Sequence, residues 1–216
     1  NAKAAHKMFA ELSDQQGVAL RRTIHMNQVG GQSTWNELVG SLQAQFSIIG
    51  PLADLIVVSR PKSEKSAKAR AFALAALMHS ARPVLVLPQR ATGRVGKRIL
   101  IAWNQSIDAA AIVHAALPLL QIAEDVHIMS AGSQDLCAPK TRAVAKYLRH
   151  WGVNATTSQT PGRHATQELL TTYAERKCDL FMMGAYSRAR WRETVFGGLT
   201  EHILFKEHIP ALLMHR

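Results

Sequence analysis

Short apolar runs alternate with amphipathic stretches along most of this chain. Residues 98–103, with Ile99, Leu100 and Ile101 at their centre, read as a buried parallel strand, and residues 106–123 follow with apolar positions at helical spacing. A second strand is predicted over 126–131. A helix over 139–151 carries Val144, Leu148 and Trp151 on one face and ends at Gly152. A polar strand over 154–158 leads through Thr160, Pro161 and Gly162 into a helix over 164–176. A strand over 179–186, a helix over 199–206 and a strand over 211–215 complete the series. Strands alternating with helices predict a parallel, doubly wound α/β sheet.

Part of this pattern occurs twice. The segment at Gly17-Val18 matches Gly152-Val153, the strand opened by Asp54 matches that opened by Asp179, and the strand after Pro83 matches that after Pro210. The offsets are about 135, 125 and 127 residues, so one period of domain size accounts for all three. The predicted organisation is a first repeat over residues 1–90 and a second over 96–216. The helix over 3–15 corresponds to the one before Gly152, so about 40 residues equivalent to 97–135 have no counterpart in the first copy. Its first strand, first helix and second strand are missing. A doubly wound sheet without its central strand is split and leaves apolar faces bare, so the expectation is a recorded chain that lacks part of the natural protein.

The richest chemistry lies in residues 183–200, between a strand end and a helix start. A loop leaving the carboxyl end of a parallel strand presents backbone N–H groups and a helix dipole to an anion. Gly197 and Gly198 allow close backbone approach, and Ser187 and Thr200 add hydroxyl donors. The same glycines equally fit a turn that packs helix on sheet. Arg188, Arg190 and Arg192 offer cations to a phosphate, although alternate basic residues on a loop also describe a solvated face.

This segment resembles the signature of the universal stress proteins, in which Gly, two residues, Gly, nine residues, Gly and then Ser or Thr precede the last helix. Gly184 and Gly197 hold the first and third places; Ser187 stands at the second glycine and Gly198 at the Ser or Thr. The resemblance covers residues 97–216, and 3–88 more loosely. It implies two repeats of a doubly wound, mainly parallel sheet of the adenine nucleotide alpha hydrolase-like type. It further implies ATP, or a related adenine nucleotide, across the carboxyl ends of the first and fourth strands of the second repeat. Asn104 then stands where the family has an Asp near the ribose, able to hydrogen-bond but without a carboxylate charge. Ala131 matches the adenine-lining position and Met183 its apolar neighbour. The resemblance implies that Ser187, Arg188, Gly197, Gly198, Leu199 and Thr200 would surround the phosphates. The corresponding loop of the first repeat, residues 59–70, contains no glycine, so that copy reads as structural or as a partner surface.

Composition removes other classes. Forty-seven per cent apolar residues fit a globular core, and no apolar run reaches the roughly 18 to 20 residues of a membrane span. Cys137 and Cys178 form neither a disulfide framework nor a CxxC pair and read as reduced thiols of a cytoplasmic protein. The net charge of +11 attracts anions, but without an aromatic platform or recognition helix it does not make nucleic acid an expected partner. The ten histidines show no metal-ligand spacing. No nucleophile elbow, Walker A loop or carboxylate pair nominates an enzyme. The expectation is a stress-response sensor or regulator that binds a nucleotide. The alternative is a member of the same family without nucleotide binding that acts through a protein partner or as a homodimer.

Overall fold

The computed structural model describes residues 2–23, 29–60, 66–89, 93–186 and 195–216. The chain divides into two compact units, Asn1–Gly40 and Ser41–Arg216. The boundary expected near residue 90 therefore falls inside the larger unit.

The smaller unit holds helix α1 (Ala2–Gln15) and the parallel strands β1 (Ala19–Arg21) and β2 (Gln32–Thr34). Gly17, at φ +65°, turns the chain out of α1, and Val18 N–H donates to Ser13 O at 2.9 Å. Trp35 lies against Phe9 and His6, with ring centroids 5.5 and 5.3 Å away.

In the larger unit, α2 (Leu42–Ile49) starts at Ser41, whose hydroxyl accepts from Ala44 N at 3.2 Å. A 3₁₀ turn leads to β3 (Ile56–Ser59), α3 (Ala67–His79) and β4 (Val84–Leu87). Then follow β5 (Arg98–Ala102), α4 (Ile107–Ala115), α5 (Leu117–Gln121), β6 (Asp125–Ala131), α6 (Thr141–His150), β7 (Ala155–Thr160), α7 (Ala165–Glu175), β8 (Leu180–Gly184), α8 (Val195–Phe205) and β9 (Ala211–Met214).

Seven strands form one mixed, mainly parallel sheet in the order β3-β4-β9-β8-β5-β6-β7. All neighbours run parallel except β4 and β9, which pair antiparallel with Leu85 opposite Leu212. The apolar runs of β5 and β8 are buried on both faces, as the central position demands. One core, with Leu100, Phe181, Leu199 and Ile203, lies under α3, α7 and α8; the other, with Ile99, Ile112, Ile128 and Leu148, lies under α4 and α6. The Asp179 carboxylate accepts from the backbone N–H groups of Gly96, Lys97 and Arg98 at 3.0, 3.1 and 3.0 Å, which seats the start of β5 beside β8.

Three expectations are corrected. The helix over 106–123 is two helices, because Pro118 has no N–H to continue the ladder and α5 restarts around it. The last helix begins at Val195 rather than Leu199, so Gly197 and Gly198 lie within its first turn. The strand after Gly17 joins the two-stranded sheet of the smaller unit and takes no part in the large sheet. In that large sheet β3 is an edge strand, and Val57 is 56% exposed.

Candidate functional site

At its carboxyl end β5 makes a tight turn into α4. Trp103 is buried and its indole N–H donates to Pro139 O at 2.8 Å. Asn104 is half-buried; its Oδ1 accepts from Ser106 N at 3.2 Å and from the Ser106 hydroxyl at 2.7 Å. The Ser106 hydroxyl in turn accepts from Ala109 N at 3.0 Å and caps α4. Between them Gln105 adopts φ +62°. Its side chain latches the segment that follows β6, accepting from Asp135 N at 2.6 Å and donating to Ala138 O at 3.0 Å.

Strand order sets the neighbours. Ala102 pairs with Met129 of β6 on one side and Met183 of β8 on the other, so Asn104, Ala131 and Gly184 stand at the carboxyl ends of three adjacent strands. Ala131 is half-buried. Met183 is 1% exposed and packs into the core. At Gly184 a Cβ would lie 2.5 Å from Ala109 N and 2.7 Å from the Asp108 carbonyl carbon, so the missing side chain admits the first turn of α4 onto β8. The buried Asp108 carboxylate there accepts from Arg216 N at 2.7 Å, and His215 Nδ1 donates to Ala185 O at 3.0 Å.

Beyond β8, Tyr186 adopts φ +50°. Its N–H points to the buried Thr200 hydroxyl at 3.4 Å, and its phenol donates to Glu201 Oε1 at 2.8 Å. Burial, then the hydrogen bond to Glu201 and that residue's charge, pushes the Tyr186 phenol well above the usual tyrosine range. The exit of β8 is thus joined to the early turns of α8. The first four N–H groups of a helix are the ones an anion can reach, and among the described residues α8 opens on Val195, Phe196, Gly197 and Gly198. Gly198 is exposed, and a Cβ on it would meet nothing within 4 Å among the described residues. Leu199 is fully buried in the core. Ser187 and Arg188 lie outside the described residues.

Of the residues singled out in the sequence, the fold assembles Asn104, Ala131 and Gly184 at one sheet edge and ties Thr200 back to it through Tyr186. Met183 and Leu199 serve the interior. Gln105, Tyr186 and Glu201 are additions from the structure. A glutamine inside a strand-to-helix turn carries no spacing signal, and the Glu201 contacts depend on tertiary packing. Among the described residues no group of three or more His, Cys, Asp or Glu is placed to hold a metal, and no helix is long and apolar enough to cross a membrane.

Against known proteins, no protein-family model matches the chain and no curated protein does so. Solved structures do. A universal stress protein from Archaeoglobus fulgidus DSM 4304 superposes with a TM-score of 0.69 at 16% identity, over 100% of this chain and 77% of that one. The fold is that of the universal stress proteins. A functionally unknown protein from Pseudomonas aeruginosa PAO1 superposes with a TM-score of 0.58 at 16% identity, over 100% of this chain and 78% of that one. Within the universal stress protein fold, the strand that carries Asn104 and the strand that carries Gly184 are neighbours, and the glycine pair opens the helix that follows.

Proposed function

We propose that this chain is a universal stress protein of tandem type that binds ATP or a related adenine nucleotide beside β5 and β8, and works as a cytoplasmic sensor or regulator without catalysing a reaction. The observation that carries the reading is the first turn of α8. Its leading turn includes two residues without side chains, and the helix follows a parallel strand whose neighbour ends at Asn104. Such a turn suits a phosphate through both backbone donors and the helix dipole. The tandem arrangement is supported by two strand-helix-strand units, β3-α3-β4 and β8-α8-β9, whose last strands pair antiparallel. Related units meeting through equivalent strands follow the logic of a twofold interface.

A second reading, association without nucleotide, is favoured by one observation. The Asn104 carboxamide oxygen is already engaged by Ser106, where a ligand-facing group would be turned outward. Calorimetric titration with ATP separates the two. Binding by the wild-type protein, with affinity lowered about tenfold or more in Gly197→Val and Gly198→Val, is the expected result. Gly198 is the cleaner probe, because a Cβ on it meets nothing within 4 Å among the described residues. Absence of heat and of any thermal shift at millimolar ATP would transfer the reading to association.

A further inference from the structure

Helix α8 is gripped by two arginines from the β3-α3 segment. Arg60, 2% exposed at the end of β3, donates to Ile203 O and, at 2.7 Å, to Ile209 O, so it caps the carboxyl end of α8 and holds the chain entering β9. Arg70, in the first turn of α3, lies over the Phe205 ring with its guanidinium carbon 3.8 Å from the centroid and donates to Glu201 Oε2 at 2.9 Å. The other oxygen of that carboxylate accepts the Tyr186 phenol at 2.8 Å. One carboxylate thereby joins three elements: α3, α8 and the residue at which the chain leaves β8. Tyr186 holds a left-handed backbone conformation, at φ +50°, that a non-glycine residue adopts only under constraint from its surroundings.

We infer that Arg70 is a positioning residue for the candidate nucleotide site: through Glu201 and Tyr186 it sets the geometry between the end of β8 and the first turns of α8, and with it the affinity of the site. The inference rests on the reading of a nucleotide site at that turn and adds how helix α3, which belongs to the other strand-helix-strand unit, takes part in it. Without Arg70 the Glu201 carboxylate loses the cation that fixes it, the Tyr186 phenol loses a fixed acceptor, and the amide of Tyr186 then loses its registration with Thr200.

The test is ATP affinity measured by calorimetry at room temperature on the full chain. Arg70→Gln and Tyr186→Phe should each weaken binding about tenfold, and the double variant should be no weaker than either single one, because both cut the same chain of contacts. The exchanged pair Arg70→Glu with Glu201→Arg should recover most of the affinity, while Lys68→Ala, an exposed charge two residues away, should match the wild type. Arg70→Gln binding within about twofold of wild type, or losses that multiply in the double variant, would overturn the inference. If the wild-type protein binds no ATP, the nucleotide reading itself fails, and amide hydrogen exchange decides on positioning. Exchange at Tyr186 and over residues 198–201 should then quicken about tenfold in Arg70→Gln with residues 125–131 unchanged. Unchanged or uniformly faster exchange would sink it.

Discussion

Two glycines of one sequence pattern do opposite work at the level of single residues. Gly184 is a contact point between backbones: the N-terminus of α4 presses on it so closely that a methyl group would meet Ala109 N at 2.5 Å. Gly198 lies within a helix, and a Cβ there would meet nothing within 4 Å among the described residues. Gly184→Ala should therefore destabilise the protein by about 1 to 3 kcal/mol, the usual penalty for forcing a group into a packed site, whereas Gly198→Ala should be neutral or slightly stabilising because alanine favours a helix. Urea denaturation of the two variants checks this, and equal midpoints would show that α4 can retreat from β8. The first glycine of the pattern is thus explained by packing alone, and the case for a phosphate site rests on the later pair.

Among the elements, β6 and β7 are tied by a buried histidine. His127 is 4% exposed, with Nδ1 2.7 Å from the Thr156 hydroxyl and Nε2 2.7 Å from the Ser158 hydroxyl. Burial, helped by the Arg176 charge and opposed by Asp125, pushes its pKa down to about 4. Between that value and the ordinary histidine value near 6.5 the unfolded chain binds a proton that the folded chain refuses, so the contribution of the neutral ring is intact above about pH 7 and is lost as pH falls toward 4. Thermal denaturation should show stability declining across that window, by up to roughly 3 kcal/mol from this group, and His127→Gln should flatten the slope there. A parallel slope in the variant would assign the decline to other groups. The strands β5, β6, β8 and β9 were legible because their apolar runs are continuous, and the ends of α4 and α6 because Ser106 and Gly152 mark them. The start of α8 was not, since a pair of glycines reads as a terminator when its neighbours are unknown. Nor was β2, three polar residues whose pairing with β1 has no apolar pattern to announce it. At the candidate site, the strand ends and the glycine turn could be read from order and spacing, but the latch by Gln105 and the links through Glu201 arise only when distant segments meet.

For the larger unit as a whole, the decisive joint is between β4 and β9, where the direction of the strands reverses. Arg60 reinforces it from the interior; desolvation lowers its pKa to about 10, with Glu207 opposing the shift, and its guanidinium still holds the carbonyls of Ile203 and Ile209. Arg60→Ala should lose about 2 to 4 kcal/mol, from two abandoned carbonyls and a void, and the loss should surface first as faster hydrogen exchange in β3 and β4. Exchange that quickens equally in β6 would instead point to a single cooperative unit. The reversal also gives the sheet two unlike rims. The carboxyl ends of β8, β5, β6 and β7 emerge on one rim, and those of β3 and β4 on the other. A molecule captured on a surface by the rim at which β3 and β4 end would turn the carboxyl ends of β5 and β8 toward the solution, whereas capture by the opposite rim would hide them. Orientation at an interface is therefore written into the order of seven strands.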